Sequence, residues 1–369
     1  MHLQDFQLER YFAKYEFHTP HLLCSSDCES LHISDLLALE SGAEEDFLQL
    51  HLGYTESAGN PELRQLIANQ YPGGKMEDIL VFSGAEEGIF IAMNVLLSPG
   101  ESVIVQTPCY QSLFEVAKGV GAEVKPWPMN PQKAWEMDLA YLKDQISSHT
   151  RLVVVNFPNN PTGYYPDPGF FEALVQICRK HGLYLFVDEV YRGLEYPGVP
   201  ILPPAFTQYE KGISLGVMSK SLGLPGLRIG WTATKDSAVT QRLASFKDYT
   251  TICNAAPSEF LSIVALKNAQ KLLDRNQAIV QHNLEVLDDF FKRNSALISW
   301  SRPSAGAIAF PKWEQEPHDR FYERLAQTKG VLLLPGQYYG YSNQYFRLGY
   351  GRKNLPEALA IFEKNLVPA

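Results

Sequence analysis

Long hydrophobic runs are missing from this sequence. No stretch approaches the roughly 18 apolar residues that a membrane-spanning helix needs. The first ten residues, MHLQDFQLER, also lack the basic stretch followed by an apolar stretch that marks a signal peptide. We therefore expect no membrane partner and a cytoplasmic location.

Cysteine is scarce, with 5 in 369 residues, at positions 24, 28, 109, 178 and 253. An odd, scattered set in a chain of this length argues against a disulfide framework and favours reduced thiols. His18, His21 and His32 lie near the first two cysteines, but the spacings fit no zinc pattern. The sequence therefore predicts no metal site.

Positive charge is outnumbered by negative charge. The chain has 32 Lys and Arg against 41 Asp and Glu, a net charge of -9, and no basic patch stands out. Such a surface repels phosphate backbones, so we expect no nucleic-acid partner. The hydrophobic content of 45% is that of an ordinary globular protein.

Short β-rich runs alternate with helical stretches from residue 79 onward. This alternation predicts βαβ units and an α/β fold with a mostly parallel central sheet. The predicted strands are 79–82, 102–106, 151–157, 183–188 and 213–219.

The two ends of the chain have a different character. Residues from about 261 to 293 read as one long polar helix, followed by short strand-like pieces and a closing helix after Pro356. The first forty residues contain two apolar helical stretches and no strand alternation. We predict a large domain over 41–264 and a smaller α+β domain built from 1–40 and 265–369.

Chemically active residues follow the predicted strands. Ligands bind outside the carboxyl ends of parallel strands, so these positions are the ones at which a site is expected. The groups found there are an amide, a carboxylate, a phenol, a lysine and an anion site. The segments that carry them are Ser83-Gly84-Ala85, 158–163 (PNNPTG), 188–191 (DEVY) and Ser219-Lys220, with Arg228 eight residues after Lys220.

The motifs NNPTG, DEVY, SKSLGLPGLRIGW and FRLGYG, in this order, resemble the fold-type I pyridoxal 5'-phosphate (PLP) enzymes of aminotransferase class I/II. The resemblance runs from about Tyr54 to Arg347. It implies a three-layer PLP-transferase large domain, PLP as the cofactor, amino-acid and 2-oxo-acid substrates, and a homodimer with shared active sites.

The resemblance makes Lys220 the residue that forms a Schiff base with PLP and later moves the substrate proton. A lysine beside cationic cofactor groups can have its pKa lowered, as this chemistry requires. Asp188 matches the carboxylate that keeps the pyridine nitrogen protonated. The run before Asp188 also looks like a Walker B strand, but no GxxxxGK[ST] loop accompanies it.

Asn160 and Tyr191 match the positions that hydrogen-bond the ring oxygen of PLP, and Asn160 also faces the substrate. Each could equally be a turn residue or a buried ring.

The phosphate group of PLP needs amides and a cation. Gly84 and Ala85 open a helix whose N-terminal amides point at anions, and Ser219 and Arg228 complete the set. Some family members carry a serine three residues before the lysine, where this chain has Val217. The chain therefore matches the subgroup with serine immediately before lysine.

Three further residues are implied by the resemblance. Tyr110 matches the aromatic side chain that stacks on the pyridine ring, and Tyr54 matches the tyrosine that reaches the phosphate of a neighbouring subunit. Arg347 matches the clamp for the substrate α-carboxylate, a role that suits its planar fork. The tyrosines at 338, 339, 341 and 345 are interpreted as core residues rather than pocket residues.

Transamination is the expected activity, but the same cofactor residues also serve lyases, racemases and cyclising enzymes. A weaker likeness in the N-terminal region and in ELRQLIANQY points to the capreomycidine synthase branch, which cyclises a hydroxylated arginine derivative. A non-catalytic PLP-fold binding protein is the third alternative. No motif indicates which amino-acid side chain is accepted.

Overall fold

The computed structural model describes residues 1–315, 317 and 320–366. Their strands are β1 (His21–Leu22), β2 (Ile79–Phe82), β3 (Ser102–Thr107), β4 (Glu123–Pro128), β5 (Thr150–Asn156), β6 (Tyr184–Asp188), β7 (Gly212–Val217), β8 (Gly230–Ala233), β9 (Ile298–Ser299), β10 (Ile308–Ala309), β11 (Lys312–Trp313), β12 (Val331–Leu332), β13 (Leu334–Pro335) and β14 (Phe346–Gly349).

The α-helices of the same residues are α1 (Gln7–Tyr15), α2 (Ile33–Leu37), α3 (Ala43–Leu48), α4 (Pro61–Asn69), α5 (Ala85–Leu96), α6 (Ser112–Val120), α7 (Leu139–Gln145), α8 (Pro168–His181), α9 (Ala205–Gln208), α10 (Ser237–Lys247), α11 (Ala256–Lys267), α12 (Ala269–Arg293), α13 (Phe321–Lys329) and α14 (Leu355–Glu363). Short 3-10 helices occur at Glu16–His18, Met76–Asp78, Pro131–Lys133, Pro225–Leu227 and Gly336–Tyr339.

A seven-stranded sheet forms the centre of the fold, in the order β2-β8-β7-β6-β5-β3-β4. Strands β3 to β7 pair in parallel, and β8 pairs antiparallel with both β7 and β2. The predicted α/β fold with a mostly parallel sheet is therefore confirmed.

Both faces of the sheet are buried, which explains why its strands read as continuous apolar runs. In β3, Val103 and Val105 belong to one hydrophobic cluster, together with residues of α5, α6 and α10. Ile104, between them in sequence, belongs to the cluster on the other face, with residues of α7 and α8. The alternation of side chains along each strand thus produces three layers.

Two strands of the central sheet were missed by the sequence prediction. The first, β4, contains Pro126 and Pro128, which cannot donate ladder hydrogen bonds. The structure places β4 at the edge of the sheet, where a missing donor costs little. The second, β8, has only four residues, with a glycine at its start.

The long helix predicted over residues 261–293 is in fact two helices, α11 and α12, which meet at Asn268. The Asn268 side chain donates to the carbonyl of Val264 at 3.1 Å and accepts from Lys271 Nζ at 2.8 Å. Asparagine favours such local bonds over helix continuation, so this prediction was wrong at the junction.

Short strands bring the two ends of the chain together. Strand β1 pairs in parallel with β12, through His21 with Val331 and Leu22 with Leu332. Strand β14, which carries Arg347, lies between β10 and β13. The loop after β1 is thereby held beside β14. In the part of the chain that the structure describes, no helix is both long and apolar enough for a membrane span.

Candidate active site

A cavity of about 450 Å³ lies where the central strands end. Parallel pairing aligns Asn156 at the end of β5 with Asp188 at the end of β6, so side chains from neighbouring strands meet there. Most of the residues predicted for the site line this cavity, namely Ala85, Tyr110, Asn160, Asp188, Tyr191, Ser219, Lys220, Arg228 and Arg347.

Lys220 follows β7 by three residues, and its side chain enters the cavity. Its Nζ donates to Ser26 Oγ at 2.8 Å. Burial lowers the pKa of Lys220, because a charged ammonium loses hydration there. The cavity therefore favours the neutral amine.

Asp188 ends β6 and is only 5% exposed. One carboxylate oxygen, Oδ1, accepts from the backbone N–H of Val190 at 3.2 Å, and its backbone carbonyl accepts from Asn156 Nδ2 at 2.9 Å. Burial raises the pKa of Asp188 to about 7, although the Val190 N–H and the positive charge of Lys220 oppose that rise. This carboxylate would gain stability from a cation placed next to it.

Tyr191 and Asn160 face the cavity from two different loops. The Tyr191 hydroxyl is buried and approaches Ser26, but has no hydrogen-bond partner of good geometry among the described residues. Asn160 Oδ1 accepts from Tyr339 Oη at 2.8 Å and from Arg347 Nη1 at 3.3 Å. Its amide nitrogen is left to donate elsewhere.

Arg347 is the most strongly fixed cation of the cavity. It is 2% exposed. Its Nε donates to the carbonyl of Cys24 at 2.9 Å, and its Nη1 donates to Tyr339 Oη at 2.7 Å. The ring of Phe12 lies 5.6 Å from the guanidinium carbon. The side chain is held in place, and no carboxylate among the described residues forms an ion pair with it.

A second positively charged part of the cavity, besides Arg347, lies at the start of α5. Gly84 precedes the helix with φ +85, and a Cβ placed there would lie 2.6 Å from Arg228 Nη2. Arg228 itself has a left-handed φ of +51. The guanidinium therefore lies against the N-terminus of a helix, where amides and positive charge together suit an anion. Ser219, buried on the cavity wall, completes this part.

The two predicted tyrosines are in different places. Tyr110 lines the cavity and its Oη donates to Glu9 Oε1 at 3.3 Å. Tyr54 is 94% exposed and is not among the residues that line the cavity of its own chain. The structure thus does not bring Tyr54 together with the other predicted residues.

Among the four C-terminal tyrosines, Tyr339 is buried in the core, as interpreted, and is not among the residues that line the cavity, but it bonds two residues that do. Its hydroxyl bonds both Asn160 and Arg347, so it fixes the clamp of the cavity. The other three also match the interpretation: the ring of Tyr338 lies 4.5 Å from the ring of Tyr11, and Tyr341 and Tyr345 pack around Phe310. The sequence gives no sign that distinguishes Tyr339 from its neighbours.

Sequence reasoning missed several polar residues of the site. Asn156 ends β5, so the strand-end rule would have found it. Its Oδ1 accepts from the backbone N–H of Asn160. Glu86 follows Ala85 directly and also lines the cavity. Glu9 and Ser26 come from the N-terminal segment, and only long-range pairing brings them to the site.

Comparison with known proteins gives one consistent picture. The family model "Aminotransferase class I and II" matches residues 25–361. The capreomycidine synthase of Streptomyces vinaceus is 30% identical over 370 residues, covering 99% of this chain and 93% of that protein.

Two solved structures are similar over nearly the whole chain. A PLP-dependent aminotransferase from Streptococcus suis has a TM-score of 0.92 at 33% identity, covering 99% of this chain and 97% of that one. The PLP-dependent cyclase OrfR has a TM-score of 0.89 at 26% identity, covering 100% and 99%.

Proposed function

Because the chain belongs to the aminotransferase class I and II family, it is a PLP-dependent aminotransferase, and we propose that Lys220, Asp188 and Arg347 carry its reaction. The reaction is the transfer of an amino group from an L-amino acid to a 2-oxo acid. The observation that supports these roles is the placement of the three side chains in one cavity, where Asp188 and Arg347 are buried and Lys220 is half-buried.

The cavity offers a suitable side chain or amide for each polar group of PLP. The unpartnered Tyr191 hydroxyl and the amide nitrogen of Asn160 are donors for the ring oxygen. Asp188 is the carboxylate for the pyridine nitrogen. The start of α5 at Ala85, with Ser219 and Arg228, is the site for the phosphate.

PLP supplies an aldehyde that condenses with amines and a pyridinium ring that accepts the electron pair released when a bond to Cα breaks. The chain supplies the proton transfers. Burial lowers the pKa of Lys220 and so favours the neutral amine, the form that would take the proton from Cα. Ser26 Oγ orients that amine through its hydrogen bond. Asp188, as a carboxylate, holds the proton on the pyridine nitrogen.

Arg347 binds and orients the substrate. Its Cys24 and Tyr339 bonds fix the guanidinium plane, so a substrate α-carboxylate can form a bidentate pair with it. A substrate whose α-carboxylate is fixed on Arg347 would have its Cα held at a constant distance from Lys220. Arg347 would thus act by positioning the substrate.

Borohydride reduction of the holoenzyme tests this proposal. Reduction should fix PLP on the peptide that contains Lys220, as mass spectrometry would show. Lys220→Ala should lose the absorbance near 420 nm and at least about a thousandfold of kcat. Lys180→Ala, on the exposed surface of α8, is the matched control. A modified peptide elsewhere would contradict the proposal.

Ring closure on an amino-acid substrate is a second candidate function. It is supported by the similarity to capreomycidine synthase along 99% of this chain and to the cyclase OrfR. Product masses separate the two functions. Amino transfer yields a 2-oxo acid and a new amino acid from 2-oxoglutarate, whereas ring closure needs no amino acceptor.

We also propose a homodimer and a cytoplasmic location. Large apolar side chains are exposed in two segments, at Leu48, Leu52 and Tyr54 and at Tyr249 and Ile252. Clustered exposure of this kind is typical of an interaction surface. The five free cysteines, four of them buried, support a reducing compartment. Sedimentation velocity and cell fractionation test these two statements.

A further inference from the structure

We propose that Glu87 is a positioning residue that couples the phosphate site of the cavity to the exposed turn 249–252. Glu87 is not among the described residues that line the cavity, so it acts through its hydrogen bonds. This inference rests on the proposed function, because it takes the start of α5 as the site for the phosphate of PLP. It goes further by connecting that site to the surface proposed to bind a second copy of the chain.

One carboxylate oxygen of Glu87 holds the loop 83–85, which precedes and opens α5. Glu87 is the third residue of α5, and its Oε2 accepts from the backbone N–H of Ser83 at 2.6 Å. A glutamate at the third position of a helix commonly bonds back to an amide before the helix. This bond fixes the backbone directly before Gly84 and Ala85, the residues proposed for the phosphate. By itself it would be a helix cap and nothing more.

The other oxygen of Glu87 reaches a distant part of the chain. Its Oε1 accepts from the hydroxyls of Thr250 and Thr251, the second at 2.7 Å. The two threonines lie 163 and 164 positions away in the sequence, and both are exposed. A helix cap does not require these bonds. One carboxylate therefore joins the loop 83–85 to the turn 249–252.

The backbone of the turn 249–252 is strained and needs such support. Ile252 has a left-handed φ of +63, which a β-branched residue rarely adopts. Strained backbone persists only where the surrounding contacts hold it in place. Thr250 and Thr251 directly precede Ile252, so their bonds to Glu87 help to hold the strained conformation. The position of the turn thus depends on Glu87.

A buried lysine extends the connection to the exposed segment that contains Tyr54. Lys247 is 1% exposed, and its Nζ donates to the carbonyl of Ser57 at 2.5 Å. Burial lowers the pKa of Lys247, and the negative charge of Glu87 is the largest influence that opposes this fall. Ser57 lies three positions after Tyr54. Glu87 therefore acts on both exposed apolar segments.

Coupling between two sites works equally in both directions. A phosphate bound at the start of α5 favours one position of the loop 83–85, and Glu87 passes that preference to the turn 249–252. A second copy of the chain that binds the turn favours the same position of the loop. Within one chain, a change in the turn then alters the affinity for PLP although no residue of the turn lines the cavity.

Removal of the two threonine hydroxyls tests the coupling without changing any residue of the cavity. The double variant Thr250→Val/Thr251→Val keeps nearly the same side-chain shape and loses both donors to Glu87. Titration of the full chain with PLP should show about tenfold weaker binding, the effect of weakened charge-assisted hydrogen bonds. Thr328→Val, on the exposed face of α13, is the matched control and should bind PLP as wild type does.

A double-mutant cycle separates the bridge from independent effects. Glu87→Ala should weaken PLP binding at least as much as the double threonine variant, and the combined variant should lose no more than Glu87→Ala alone. Glu87→Gln should stay within about threefold of wild type. Its amide oxygen can accept from Ser83 N–H, and its NH2 group can donate to a threonine hydroxyl.

Hydrogen exchange followed by mass spectrometry provides a readout that a purely structural role would not move. At saturating PLP, with the absorbance near 420 nm as proof of loading, PLP should slow exchange of the amides of 249–253 in wild type. The same concentration should give no such protection in Glu87→Ala or in the double threonine variant. Thr328→Val should show the protection of wild type.

Three results would overturn this inference alone. One is unchanged PLP affinity in the double threonine variant. Another is a combined variant whose loss equals the sum of the separate losses, since the threonines would then act independently of Glu87. The third is PLP-dependent protection of 249–253 that the variants retain. If wild type forms no borohydride-reducible bond with PLP at Lys220, the proposed function fails instead.

Discussion

Burial acts in opposite directions on the two key ionisable groups of the cavity. The pKa of Asp188 is raised and that of Lys220 is lowered, because both charged forms lose hydration. Burial therefore shifts each group toward its neutral form before the cofactor binds. In the proposed arrangement, the positive pyridinium of the cofactor would then give Asp188 a partner.

Asp188 makes the cofactor-free protein less stable as the pH rises. Its folded-state pKa is about 7, above its ordinary value of 3.8. Between these values the folded state binds more protons than the unfolded state, so stability from this group falls as pH rises from about 4 to 7. Cofactor-free Asp188→Asn should therefore melt a few degrees above wild type at pH 8, and less so at pH 5.

Thermal unfolding at both pH values, with and without PLP, measures this effect. With PLP the order should reverse, since the pyridinium loses its carboxylate partner. Glu172→Gln is the control on an exposed position. Equal melting temperatures of the two cofactor-free proteins at pH 8 would contradict the prediction.

Ser26 accepts a hydrogen bond from Lys220, and we expect this bond to raise the proton affinity of the amine. An ammonium is a stronger donor than an amine, so the 2.8 Å bond to Ser26 Oγ favours the protonated form. Ser26→Ala should therefore lower the pKa of Lys220 further, by up to about one unit. The pH dependence of Lys220 acetylation in the cofactor-free protein, followed by mass spectrometry, measures the shift. Ser30→Ala, on an exposed residue, should leave it unchanged.

At the scale of elements, the start of α5 combines a glycine, a helix terminus and an arginine. Gly84→Ala would place a Cβ at 2.6 Å from Arg228 Nη2. The guanidinium must then move away from the phosphate site. We expect the affinity for PLP to fall at least about tenfold, the effect of weakening one charge-assisted contact.

Gly42→Ala provides the comparison for this glycine. Gly42 has nearly the same φ, +83, and also precedes a helix, but a Cβ there meets nothing within 4 Å. The ψ angles differ, 164 at Gly84 and -9 at Gly42, so Gly84→Ala carries more backbone strain in addition to the contact with Arg228. Fluorescence titration with PLP should show weakened binding for Gly84→Ala only. Equal affinities would mean that Arg228 does not depend on Gly84.

Sequence patterns predicted the strands and helices whose apolar residues recur with a clear period. They missed the strands and helix ends that depend on contacts with distant parts of the chain. Five buried strands and the helix after Gly84 were recognisable from their apolar runs. The edge strand β4 was not recognised because it contains Pro126 and Pro128. The break at Asn268 was not recognised because the helical pattern continues on both sides of it.

The same distinction holds for the site. Asp188, Asn160 and Lys220 follow strands, so the topology of a parallel sheet predicts that they meet. Glu9 and Ser26 reach the cavity because β1 pairs with β12, more than 300 positions away. Single-sequence reasoning has no signal for that pairing. Their contribution could be found only from the folded structure.

At the scale of the whole molecule, the division into 41–264 and the combined segments 1–40 and 265–369 stays a prediction. The observed pairings do connect the N-terminal segment to the C-terminal strands. Limited proteolysis of the holoenzyme would locate the boundaries.

Mixing of variant subunits tests the proposed shared sites. Tyr54 is exposed and lies outside its own cavity, so a dimer could place it in the partner's. The Tyr54→Ala variant and the Lys220→Ala variant should each have low activity when PLP is limiting. Random mixing should restore roughly a quarter of the sites, because each hybrid dimer contains one complete set.

Mixing Lys220→Ala with Asp188→Asn is the control for this experiment. Both residues line the cavity of one chain, so no hybrid contains an intact site and activity should stay low. If the Tyr54→Ala mixture also stays low, Tyr54 does not act across subunits.

The cavity wall extends along the sequence from Phe6 to Arg347. During translation, Lys220, the proposed cofactor lysine, leaves the ribosome well before Arg347, the proposed substrate-binding arginine. A nascent chain that stops short of β14 thus contains the reactive amine without its carboxylate clamp. Productive capture of an amino acid is consequently one of the last events in the synthesis of each molecule.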